Sequence, residues 1–172
     1  MSAQARSASS GWAERLERLA RLIPGVGRYQ DREGLRETDK RVRVLLADQV
    51  VEVARTLEPA ERRLLDAKRL ERLPALDRVR RRLATSADRL RFASYGFAGV
   101  FDLHKIREAE LSELHQFDLS LLEKIATLRK QVEGLAAAAA DAGFAEVLAT
   151  ADAALEQFDR TLDERDRLAR GL

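Results

Sequence analysis

Apolar residues recur along this chain at spacings of three, four and seven, the pattern that places side chains on one face of a helix. The first such stretch is "GWAERLERLARLI", residues 11–23, where Trp12, Leu16, Leu19, Ala20, Leu22 and Ile23 share an arc roughly 160° wide. "PGVG" at 24–27 ends it, because Pro24 cannot continue a helix. A second helix is expected from Asp31, a fair N-cap, to about Leu57, with Leu35, Val42, Leu46, Val50, Val53 and Leu57 on its stripe. A third opens at "EPAE", 58–61, where Pro59 suits the first helical position, and runs to about Tyr95. Pro74 interrupts this third stretch; Leu73 is a poor cap, so the expectation is a kink in one continuous helix.

The fourth helix is expected from near Asp102 or His104 into the alanine run "GLAAAAADAG". Its stripe is Leu114, Phe117, Leu121, Ile125, Leu128, Val132 and Leu135. After Gly143 a fifth helix carries a heptad-like, coiled-coil-type seam of Leu148, Ala151, Leu155, Phe158 and Leu162. Arg165 interrupts that seam, and the last turns are expected to fray.

Four long helices of this size each span roughly 40–55 Å, and none buries its stripe alone. The pattern therefore predicts an all-α fold: an elongated antiparallel bundle of four long helices plus a short N-terminal amphipathic helix. Residues 1–10 read as a flexible tail, 11–28 as the amphipathic helix and turn, and 29–172 as the bundle.

Composition narrows the reading. A chain of 172 residues is one domain by size, and its three Pro support helix nearly throughout. Without cysteine it has neither disulfides nor thiolate metal ligands. No apolar run approaches the roughly 20 residues that cross a bilayer, and the polar N-terminus lacks a secretory apolar segment. A cytoplasmic protein is expected, with a peripheral position on the inner face of the membrane as the alternative. Arginine outnumbers lysine 26 to 5, which hints at a bacterial, high-GC source.

The net charge of +2 conceals a division. Residues 1–100 hold 22 basic and 14 acidic side chains, whereas residues 101–172 hold 9 and 15. The simplest use of that asymmetry is internal, with basic helices lying beside acidic ones. The strongest local signal is "RVRRR" at 78–82. Beside an apolar stripe about 80° wide, Arg78, Arg80, Arg81, Arg82, Arg89 and Arg91 form a basic face. Such a face suits phosphates or anionic lipid, but the acidic C-terminal helix offers a partner in the same chain and would repel nucleic acid. Nucleic acid is not an expected partner.

Between Arg91 and Asp102 ten residues pass without a charge, holding three of the six Phe and one of the two Tyr. A corner plugging the bundle end explains this, since buried side chains need no solvating charge. The alternative leaves Phe92, Tyr95, Phe97, Val100 and Phe101 partly exposed as a docking patch, or as a tip dipping into a membrane. Trp12, Leu16, Leu19 and Ile23 likewise make the N-terminal helix either a lid on the bundle or an interfacial anchor.

No residue pattern names a reaction. His104 and His115 lack the Glu-x-x-His partners of a di-iron bundle, since Phe101 and Ser112 stand three residues before them. "GVG" at 25–27 follows a helix and lacks the third glycine of a dinucleotide loop. No catalytic residue, metal, cofactor or small-molecule substrate is inferred. The layout, a short amphipathic helix ahead of long helices, resembles in outline the phage-shock protein A family of membrane-remodelling proteins. Pro59 and Pro74 fall where that family has a long uninterrupted hairpin, so nothing is carried over from it.

The expectation is a non-catalytic helical interaction or scaffold protein that self-associates or docks a protein partner. Apolar residues outside the main stripes, Leu64, Leu70, Leu111, Leu119 and Leu122, ask for a second neighbour in the bundle or on another chain. The alternative function is a peripheral protein binding anionic lipid through its N-terminal helix.

Overall fold

The structure is a computed structural model that describes residues 32–93 and 108–170, with side chains described at 40–93 and 117–168. Among these residues every regular element is helical. Helix α1 spans Arg32–Arg55, α2 Glu58–Asp66, α3 Leu73–Phe92, α4 Glu108–Ala137 and α5 Phe144–Arg170. Short 3₁₀ turns at Leu70–Arg72 and Ala138–Ala140 precede α3 and follow α4.

The stripes read from the sequence converge on one core. Val42, Leu46, Val50 and Val53 of α1 join Leu76, Val79, Leu83 and Leu90 of α3. Leu121, Ile125, Leu128 and Val132 of α4 join Leu155, Phe158 and Leu162 of α5, and all are at most 2% exposed. Each such side chain contributes about 1.5–3 kcal/mol relative to leaving it in water, which is why no helix here stands alone.

α1 packs most extensively on α3, and α4 on α5; α1 also lies against α4, and α3 against α5. The long helices thus form a ring in the order α1, α3, α5, α4. The Arg43 guanidinium donates to the carbonyls of Leu90 and Ala93, so the start of α1 meets the end of α3 and that pair is antiparallel. Arg165 near the end of α5 reaches Asp118 near the start of α4, making the second antiparallel pair. The two hairpins then meet along parallel edges. Arg129 of α4 bonds Gln49 of α1, and Arg63, just past the end of α1, reaches the Ala136 carbonyl near the end of α4.

The structure corrects the expected kink at Pro74. The third predicted helix is two helices. α2 stops at Asp66 in a Schellman turn, in which Arg69 N–H donates to Leu64 O (2.9 Å) and Lys68 N–H to Leu65 O (3.0 Å). Lys68 adopts φ 56°, the left-handed conformation that a glycine usually supplies. Pro74 then falls in the first turn of α3, where its missing N–H would have had no helical partner.

This corner grips the end of α4. Besides Arg63, Arg69 donates to the Ala140 carbonyl at 2.7 Å, and Arg72 to the Ala139 and Asp141 carbonyls, each at 2.8 Å. The Arg72 guanidinium also lies 5.1 Å from the centre of the Phe144 ring. Cations suit the negative end of a helix dipole, so the arginines replace the caps that an alanine run lacks.

The expected fraying after Arg165 is also corrected. Helix α5 continues to Arg170, and Arg165 is 1% exposed, paired through Nε with Asp118, itself 1% exposed, at 2.7 Å. The arginine extends the seam instead of ending it.

Candidate functional site

The basic face predicted on α3 is the feature the structure describes most fully. Three of its six arginines cross to α5. Arg78 Nη2 reaches Asp152 at 2.7 Å, and Arg82 bridges Asp152 (3.2 Å) and Asp159 (3.0 Å). Arg89 Nη2 lies between Asp163 (2.6 Å) and Asp166 (2.9 Å). Between Arg82 and Arg89 the buried Ser86 hydroxyl donates to Asp159 at 2.8 Å. Residue numbers rise together on both helices, as parallel neighbours require. Positions 78, 82, 86 and 89 recur at helical spacing and hold one edge of α3 against α5.

The other three arginines stay within their own hairpin. Arg91 bonds Asp48 of α1 at 2.7 Å. Arg80 bonds Asp77 at 2.6 Å and Glu61 of α2 at 3.3 Å, and Arg81 bonds Asp77 at 2.7 Å. The internal use of the charge division is therefore what the structure shows: each arginine of this face meets a carboxylate.

The ionisation states match this structural role. Hydrogen bonding to Arg81, helped by the charges of Arg81 and Arg80, holds the Asp77 carboxyl below its usual value. Burial alone would lower the Arg89 guanidinium, but its bonds to Asp166 and Asp163 outweigh that and raise it. Both shifts favour the charged forms that make these ion pairs. An open groove of about 570 Å³ runs beside the ladder, lined by Pro74, Arg78, Arg82, Ser86, Arg89 and Asp159. A second, of about 520 Å³, runs along α4 and α5 past Phe117, Lys124 and Gln157. Among the described residues no group of three His, Asp or Glu side chains comes together to hold a metal ion, and no helix is long and apolar enough to cross a membrane.

Of the aromatic docking candidates, the structure places Phe92. It ends α3 with 72% of its surface exposed, more than any other large apolar side chain among the described residues. Tyr95, Phe97, Val100 and Phe101 lie outside the described residues, as do Trp12, Leu16, Leu19 and Ile23 of the N-terminal stretch and His104. The side chains of Leu111 and His115 do so too. Of the residues read as asking for a second neighbour, Leu64 is 1% exposed in the core, so it finds that neighbour within the bundle. Leu119 and Leu122 pack half-buried on the core, and Leu70 is 56% exposed.

Sequence reasoning missed the Asp118–Arg165 pair, although a signal was present. Arg165 follows Leu162 by three and Asp118 precedes Leu121 by three, so two opposite charges occupy core-facing positions on the two neighbouring helices. The helix-capping arginines Arg43, Arg63, Arg69 and Arg72 carried no such signal.

Among the described residues the four long helices form a bundle of two charge-complementary hairpins. No protein-family model, curated protein sequence or solved structure matches this chain.

Proposed function

We propose that this chain is a non-catalytic helical interaction protein that docks a second copy of itself at the end of the bundle where α3 finishes. One observation carries this reading. Phe92 is 72% exposed, although α3 has a full apolar face already buried against α1. Exposing an aromatic ring costs the burial energy that the same residue would gain under a partner, and large exposed apolar groups commonly mark interfaces. Phe92 also opens the charge-free stretch of the sequence, so no neighbouring charge on its C-terminal side opposes desolvation. The ladder supports the non-catalytic part of the reading, because Arg78, Arg82 and Arg89 of α3 and Asp152, Asp159, Asp163 and Asp166 of α5 are bonded to one another.

Size-exclusion chromatography with light scattering over a concentration series tests the proposal. The full chain moves from one to two chain masses as concentration rises. Phe92→Ser stays at one chain mass with unchanged helical circular dichroism, since an exposed side chain is replaced. A wild-type chain that is monomeric over the whole series overturns it.

A further inference from the structure

We infer that self-association proceeds by exchange of hairpins: the α4/α5 hairpin of one copy docks on the α1/α3 hairpin of another through the Arg–Asp ladder. The inference deepens the proposal that a second copy is the partner and rests on it. Three observations lead to it.

First, the molecule divides at a single place. α1 packs chiefly on α3 and α4 on α5, and the ladder joins one hairpin to the other. Its donors, Arg78, Arg82 and Arg89, all stand on the first hairpin and its acceptors, Asp152, Asp159, Asp163 and Asp166, on the second. The division follows the charge of the chain, basic over residues 1–100 and acidic over 101–172. Two first hairpins repel each other, as do two second hairpins; one of each attracts. A first hairpin therefore distinguishes hairpin types but not which chain supplies the second.

Second, every contact between the hairpins can be made between chains as it is made within one. Exchange is then a low-cost route to a closed two-fold dimer, in which each copy gives one hairpin and receives one. Closure within one chain keeps the advantage of effective concentration, of millimolar order for short links.

Third, the two hairpins are joined by residues 94–107, a length of fourteen residues whose reach is at most about 45 Å. Phe92 ends the first hairpin shortly before this segment, 72% exposed and open to a second copy. Cover of this ring by the second copy offsets the advantage of closure within one chain.

Two full-length variants test this. One carries Arg78→Glu, Arg82→Glu and Arg89→Glu; the other carries Asp152→Arg, Asp159→Arg and Asp163→Arg. Each alone opposes like charges across its own ladder. Mixed and refolded together from urea, they make two complementary ladders only by exchange. The expected result is a one-to-one complex at twice the chain mass, with more helical signal than either variant alone, dissociating as salt is raised. Variants that remain separate after joint refolding overturn hairpin exchange, even if they fold poorly alone, because the exchanged complex restores their charge pairing. The proposed docking surface is judged separately, by the wild-type chain and Phe92→Ser. A dimer lost on that substitution while the variants stay separate removes exchange and keeps the docking site. A mixed complex, with a wild-type dimer that survives Phe92→Ser, keeps exchange and removes the docking site.

Discussion

Replacing Arg165 with methionine is expected to lower the stability of the bundle by about 3–5 kcal/mol, because it removes a guanidinium that pairs at 2.7 Å with a carboxylate only 1% exposed. The size of the effect follows from what burial does to charge. A surface ion pair broken on one side returns its partner to water and loses at most about 1 kcal/mol. Here the partner has no water to return to. Asp118→Leu alone also destabilises, because it takes from the buried guanidinium the carboxylate that it meets at 2.7 Å. The double variant Asp118→Leu with Arg165→Met loses less than the sum of the two single variants, since each single variant breaks the same buried pair. Urea unfolding of the four proteins measures the cycle. A loss below about 1 kcal/mol for the single variants would show that both groups are solvated.

Phe158→Ala is the second large effect, with an expected loss of about 3–5 kcal/mol. Phe158 is fully buried in the seam of α5 between Leu155 and Leu162, in the cluster to which all four long helices contribute. Truncation removes the transfer energy of a ring and leaves a cavity whose walls, held by four helices, collapse only in part. The contrast is with Phe92→Ser, which removes a ring of the same size from an exposed site and leaves monomer stability nearly unchanged. Measured by urea unfolding at a concentration where the chain is monomeric, the two phenylalanines separate a core position from a surface one. Equal losses at both sites would contradict the burial assigned to them.

The difference between these two phenylalanines marks what the sequence could and could not show. Phe158 falls on a stripe of spacing three and four, and every member of that stripe from Ala151 to Leu162 is buried. Periodicity reads such positions directly, because a helix turns every 3.6 residues whatever it packs against. Phe92 lies in an apolar run without period, where the same composition suits a plug or a patch, and only its accessibility decides. The break between α2 and α3 was hidden for a different reason. The left-handed residue that makes it is Lys68, and no glycine announces it. Pro74 was visible, but its position in the first turn of a new helix looks the same in sequence as a kink in an old one.

The ring order of the helices was not legible from hydrophobic pattern, because each stripe fits any apolar neighbour. Charge carried the information that the pattern lacked. The excess of arginine in the first part of the chain and of acidic residues in the last already implied basic helices beside acidic ones, and the α3–α5 ladder is that pairing in residues. Each half-exposed rung contributes at most about 1 kcal/mol, so the ladder selects which helices meet, and in which direction, more than it stabilises them.

The parallel course of α3 beside α5 underlies the ladder and the exchange of hairpins alike, and two distances test it. The chain has no native cysteine, so spin labels can be placed at Arg78→Cys with Ala153→Cys, and at Arg78→Cys with Arg167→Cys, and read on the monomeric fraction. A parallel pair puts the first separation below the second by about 15–20 Å, the rise of the fourteen residues between the α5 labels. A 78–167 separation shorter than that of 78–153 would mean that the two helices run in opposite directions, and the ladder described here could not form.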